Sequence, residues 1–215
     1  MMKRYLSKKI KLSSVLFLLL LGSSFSFGQD IEITPYYGYM FAGKLALYQG
    51  DFNIKNDANY GITIDLELDR KSGVSLELLY DRIDTRAVLK KYPTNITEDL
   101  FDMSVEYYQI GGLYNKPMNK KFSTFGVFTF GAARMAPVST KFGDDWRFAV
   151  TAGGGIKYFF SKSIGIRLTG RLKMPFYFSG GSVWIGPGGI TYGLGAGTAL
   201  LQGDLTAGLI IRLGK

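Results

Sequence analysis

The 215-residue chain contains no cysteine and no histidine. The first absence excludes disulfides, thiolate metal sites, cysteine nucleophiles and a lipoprotein anchor on cysteine. The second removes the commonest general base and the commonest metal ligand together. Long apolar runs are also missing. The run "VLFLLLL" (15–21) is seven residues long, far short of the roughly 20 that carry a helix across a bilayer. Any membrane must therefore be crossed by strands. Dense basic runs are scarce outside the N-terminal segment. The formal charge of +9 includes Lys3, Arg4, Lys8, Lys9 and Lys11, and removing these five leaves +4. That balance, without a basic cluster, does not fit a nucleic-acid partner.

The first 28 residues read as a secretory signal. A basic start, "MMKRYLSKKIK", precedes the short apolar run and the small-residue stretch "GSSFSFG", with Ser26 and Gly28 at the −3 and −1 positions. Residues 1–28 are expected to be removed, leaving one domain over 29–215 that begins at Gln29.

What is present in the remainder is alternation. In "GIRLTGRLKM" (165–174), Ile166, Leu168 and Leu172 share one parity, and Arg167, Thr169, Arg171 and Lys173 the other. A period of two marks a strand whose faces meet different surroundings. Eight such segments follow one another: about 31–41, 60–69, 73–82, 103–115, 122–134, 147–159, the segment holding 165–174, and 200–213. In segments four to six glycine and aromatics fall on both parities, and the faces are not assigned. The connections 70–73, 116–121 and 160–163 are tight turns, whereas 42–59, 83–102, 135–146 and 175–199 are long. Short turns on one side and long loops on the other predict an all-β fold, an eight-stranded antiparallel up-and-down transmembrane β-barrel. Both termini then lie on the short-turn side.

Lipid cannot hydrogen-bond a sheet edge, so a spanning sheet must close. The aliphatic face then points out and the charged face in, the reverse of a soluble lipocalin-like barrel. Eight strands enclose just enough room for side chains, so the expectation is a filled polar lumen. Acids concentrate on early strands (Asp65, Glu67, Glu77, Glu106) and bases on later ones (Lys157, Arg167, Arg171, Lys173). Closure would bring the sets together as an ion-pair network, with Arg167 and Arg171 as hubs because guanidinium forks can serve two carboxylates. Aromatics near the turn ends (Tyr114, Phe122, Tyr158, Phe159, Phe160) and toward the loop ends (Tyr80, Trp146, Phe176, Tyr177) fit two interfacial belts.

The hairpin "AGGGIKYFFSKSIGIRLTGRL" (152–172) and the closing segment "GDLTAGLIIRLGK" (203–215) resemble those of the small OmpA/OmpX-like outer-membrane β-barrels of Gram-negative bacteria. The resemblance runs over 29–215. It implies an outer-membrane location with periplasmic termini, contact with outer-membrane lipid, and insertion by the outer-membrane assembly machinery, which reads a C-terminal alternating strand. Leu209, Ile211 and Leu213 fit such a strand. The ending Gly214-Lys215 departs from the aromatic ending of many members.

No catalytic, cofactor-binding or metal site is expected. Asp144-Asp145 reads as a solvated loop, and "GGG" (153–155) as close packing or a bend rather than a phosphate cradle. "NIT" (95–97) matches a glycosylation sequon, but matches this short are common by chance and the inferred compartment argues against modification. The stretch 174–203 has no charged residue and nine glycines in thirty positions. It either extends the last hairpin, plugs the lumen, or packs against another protein or lipid, with Phe176, Tyr177, Trp184 and Tyr192 as candidate contact residues. The functional expectation is a non-enzymatic structural or accessory barrel, with a possible protein partner in the envelope. The alternative is binding or transport of a small hydrophobic molecule through the barrel or its last loop.

Overall fold

The computed structural model describes residues 30–41, 44–47, 50–69, 71–91, 97–138, 143–177, 181–186, 189–194, 198–199 and 201–214. The signal segment 1–28 lies outside the described residues.

Alternation in the sequence becomes a closed sheet. The chain runs through β1 (Ile31–Phe41), β2 (Lys44–Leu47), β3 (Gly50–Ile54), β4 (Asp57–Asp69), β5 (Val74–Lys91), β6 (Thr97–Pro117), β7 (Phe122–Pro137), β8 (Asp145–Phe159), β9 (Ile164–Tyr177), β10 (Gly181–Gly186), β11 (Gly189–Leu194), β12 (Thr198–Ala199) and β13 (Gln202–Leu213). Eight of these, β1, β4, β5, β6, β7, β8, β9 and β13, form an antiparallel barrel, closed where Ile33 of β1 meets Ile211 of β13. No helix among the described residues is long and apolar enough to cross a membrane.

The short turns are held by local hydrogen bonds. Asp69 accepts from the backbone N–H groups of Lys71 and Ser72, and Gly73 takes a φ of 72° that only glycine adopts without strain. Asn119 and Ser161 cap the other two turns through the N–H groups of Phe122 and Ile164.

The long-loop side differs from expectation. Segments 42–59 and 83–102 are largely strand, not loop. β5 and β6 run for 18 and 21 residues, well beyond the 9–11 that span a bilayer. The surplus is on the order of 30 Å of ribbon at about 3.3 Å per residue. The hairpin β2–β3 adds to its edge, with Ile54 opposite Ala87. In 175–199, β12 pairs with the end of β9 and extends the last hairpin, while among the described residues β10 and β11 pair with each other alone.

Side-chain direction follows register. On the barrel exterior Leu168, Leu205 and Leu209 are 45%, 61% and 47% exposed, whereas inward Lys157, Arg167 and Lys173 are at most 2% exposed. The faces of β6, β7 and β8 are settled by pairing with β5 and β9: up to the bulge opposite Ala87 and Val88, odd-numbered residues point in, even-numbered out.

Candidate functional site

The lumen is built from rows of like charge. Glu32, Asp65 and Glu77 are register partners on β1, β4 and β5, and Lys157 and Arg167 are partners on β8 and β9. Each row repels itself along its own wall. Across the barrel they attract. Lys157 Nζ lies 2.6 Å from Glu32 and 2.8 Å from Asp65, and Arg167 reaches Asp65 at 3.0 Å and Glu77 at 2.5 Å. Arg167 also donates to Thr63 and lies 4.2 Å from the Phe125 ring centroid. At the short-turn mouth Arg212 holds the second oxygen of Glu32 at 2.6 Å.

One level up, Lys173 is paired with Asp81 and with Asp204. Tyr36 donates to Asp81 at 2.9 Å, and Asn59 bridges Asp81 and Asp204. Arg171 behaves differently from Arg167. Its guanidinium stands 3.5 Å from Glu77 and 5.3 Å from the Tyr36 ring centroid, without a hydrogen bond to a described protein group. Tyr107 donates to Gln202 and closes the polar section.

The "GGG" segment makes room for this network. Gly153 and Gly155 face inward, where a Cβ would strike the Arg171 stem at the first position and the Phe125 ring and Leu168 carbonyl at the second.

Of the residues expected in the network, Glu67 sits at its short-turn edge and Glu106 lies outside it. Glu67 is half-buried at the short-turn mouth, lining a cavity of about 190 Å3 with Asp30, Glu32 and Asp65. Glu106 is on the outer face. Its side chain is covered by Arg82 at 2.8 Å, Arg134 at 2.9 Å and the Tyr108 hydroxyl at 2.9 Å. The reason is a reversal of polarity along the strands. In lower β5 the outward residues are Val74, Leu76, Leu78 and Tyr80 and the inward ones include Ser75, Glu77 and Asp81. Above that level the outward residues are Arg82, Asp84 and Arg86, and the inward ones include Ile83 and Ala87. β6 and β7 reverse at the same height, at Glu106 and Arg134, which are register partners.

Beneath this charged row lies a belt of aromatics. Tyr80, Tyr108 and Trp146 are linked at centroid distances of 5.2 and 5.9 Å, and Phe148 stacks on Phe176 at 6.2 Å. Above it the lumen is apolar, filled by Met40, Ile54, Ile83, Met103, Val105 and Met135. The filled polar lumen is therefore capped by an apolar core at the long-loop end. The cap corresponds to an inverted alternation over 82–88, charged outward and apolar inward, which the reading of 83–102 as a loop missed.

Asp144 and Asp145 pair with Arg134 and Arg147 at 2.6 and 2.8 Å. Among the described residues no group of three or more acids is placed to hold a metal. Tyr177, Trp184 and Tyr192 have paired backbones in β9, β10 and β11, but their side chains lie outside the described residues.

The chain matches no family profile and no curated relative. Solved structures do match. Neisserial surface protein A is 10% identical with a TM-score of 0.54, over 86% of this chain and 97% of that one. The outer membrane protein OprG from Pseudomonas aeruginosa is 11% identical with a TM-score of 0.56, over 87% and 97%. The fold is that of the small eight-stranded outer-membrane β-barrels.

Proposed function

We propose that the protein is a non-enzymatic integral outer-membrane β-barrel of a Gram-negative bacterium, with a structural or accessory role in the envelope. Residues 1–28 direct its export, the outer-membrane assembly machinery inserts it through the closing strand, and the short-turn end faces the periplasm. The observation that carries this reading is the level at which polarity reverses. Below Arg82, Glu106 and Arg134 the wall is apolar outside and ionic inside, as hydrocarbon requires. Above them a water-facing sheet with an apolar core stands clear of the membrane and offers the surface through which a partner would be met. The lumen is packed with paired side chains, which favours a scaffold over an open pore. Fractionation should place the protein in the outer membrane, and the purified barrel should support no sustained conductance in planar bilayers. Recovery in mild detergent with a stoichiometric protein supports an assembly subunit, and recovery alone supports a stand-alone structural role.

A second reading has its own support. An apolar groove of about 700 Å3 runs along the outer wall between Tyr37 and Tyr39 on one side and Ile156 and Leu168 on the other, with Gly170 and Ala207 also lining it. Because Leu168 places it on the lipid-facing wall, such a groove would take a small hydrophobic molecule from the bilayer rather than through the packed lumen. Transport would appear as uptake of a fluorescent fatty acid into proteoliposomes that Gly170→Trp abolishes.

A further inference from the structure

The two ends of the barrel treat their cations in opposite ways. At the long-loop end Lys55, Arg82, Arg86, Arg134 and Arg147 are each ion-paired to carboxylates. At the short-turn end Lys71, Lys116, Lys120, Lys121 and Lys162 are all exposed, and among the described residues none is ion-paired. Of the nearby acids, Asp30 is buried and Glu67 half-buried, and both line the lumen mouth rather than the exposed turns. Asp69 accepts from turn backbone and Glu32 is taken by Lys157 and Arg212. Three of the lysines, Lys120, Lys121 and Lys162, rim an open bowl of about 1090 Å3 that also reaches Phe122, Phe160 and Arg212, with the buried Asp30 as its one acid.

Placement identifies what meets them. Tyr114, Tyr158 and Phe160 point outward just beside these turns, 55%, 37% and 57% exposed, with Tyr158 and Phe160 in an edge contact at 5.3 Å. Exposed aromatics of this kind mark the headgroup level. The lysines lie within a few residues of that belt, on the order of 10 Å or less, a distance over which salt does not screen them fully.

We propose that the short-turn rim is a binding surface for anionic phospholipid, with the five lysines receiving the phosphate-bearing headgroups of the adjoining leaflet. The site orders a ring of anionic lipid around one end of the barrel. An acidic soluble protein would not need the flanking aromatic belt; a lipid surface does. The proposal rests on the membrane reading above, because only an inserted barrel holds its rim at headgroup level.

The test uses the full mature protein in phosphatidylcholine bilayers containing a trace of spin-labelled phosphatidylglycerol or spin-labelled phosphatidylcholine. Electron paramagnetic resonance gives the relative association of each lipid with the protein surface. Wild type should favour phosphatidylglycerol by about three- to tenfold at low salt, and 1 M salt should bring the ratio close to one. Replacing all five lysines with glutamine should remove the preference, whereas Lys55→Gln at the other end should leave it intact. The lysines are exposed and, among the described residues, unpaired, so the five-site variant should still show the heat-dependent gel shift of a folded barrel. A wild-type ratio near one overturns the proposal, as does a preference that survives in the folded five-site variant. Synthetic bilayers make this readout independent of cellular address: fractionation elsewhere in the cell would overturn the outer-membrane reading while leaving the lipid surface standing.

Discussion

Lys157 and Arg167 are register partners on β8 and β9, so two buried cations stand side by side on one wall of the lumen. They coexist because Asp65 touches both, at 2.8 and 3.0 Å, from the opposite wall. Neither wall is electrostatically tolerable without the other. The charge pattern therefore favours closure of the sheet as well as filling its interior.

Arg167 and Arg171 should not be equivalent. Replacing Arg167 with Met leaves Asp65 with Lys157 alone and Glu77 with only the more distant Arg171 in a buried site, and should cost about 3–5 kcal/mol. Arg171→Met removes a guanidinium that makes no hydrogen bond to a described protein group, and should cost less. Urea unfolding of the two variants in bilayers gives the comparison, and equal midpoints would count against Arg167 as the principal hub.

Glu106 clamps two arginines on the outer face at the polarity boundary. Glu106→Ala should destabilise by about 1 kcal/mol, since Arg82 and Arg134 are each about a third exposed and their pairs are partly screened. A double-mutant cycle with Arg134 isolates the coupling, and additivity would remove the clamp from the account.

The boundary itself can be tested with one arginine placed at two heights. Leu168→Arg lies on the lipid-facing wall and should cost roughly 2–4 kcal/mol or block insertion. Ser104→Arg lies above Glu106 on the same outward parity and should insert normally. Equal penalties would mean that the membrane boundary is misplaced.

Two glycines of the barrel should respond oppositely to alanine. A Cβ at Gly126 meets open space, and that substitution should leave stability within about 0.5 kcal/mol. At Gly155 the same methyl meets the Leu168 carbonyl and the Phe125 ring, and overpacking of this kind costs about 1–3 kcal/mol. Thermal gel-shift midpoints separate the two.

In the ribbon above the membrane, hydrogen bonds from Lys55 and Arg86 hold the Asp99 carboxyl below its usual range. A depressed carboxylate stabilises the fold above its unfolded pKa, and the contribution is lost as pH falls through the folded value. The Asp99 carboxyl carbon should therefore titrate below the free-aspartate midpoint in an NMR series, and Lys55→Gln should move the midpoint up. A wild-type midpoint at the free-aspartate value would show that the pairs do not persist in solution.

Strand number, closure and the facing of β4, lower β5, β9 and β13 were legible because one side of each carries aliphatics and the other charge. β6, β7 and β8 were not, since Gly112, Gly126 and Gly154 face out and Phe125 and Val127 face in, and residue type there reports packing room rather than solvent. Glu106 was misplaced because charge marks the inside only within the membrane. The extension of β5 and β6 through 83–102 was hidden for the same reason. Its alternation continues, but with the signs exchanged, and a charged outward face followed by a gap in the pattern reads as loop. The pairing of Lys157 and Arg167 with particular acids depends on register between distant strands, which local periodicity does not contain.

On the orientation proposed above, with the short-turn end periplasmic, the reversed polarity of the tall strands also makes insertion directional. Arg82, Glu106, Arg134 and the polar ribbon beyond them would then be carried across hydrocarbon once during assembly. After arrival, the charged row meets water and headgroups, and the apolar core of Met40, Ile83, Met103 and Met135 condenses behind it. Withdrawal would require dismantling that core and drawing the same charges back through the bilayer, so the extension behaves as a barb: easy to describe as a loop, but in effect a one-way stop that keeps the barrel seated.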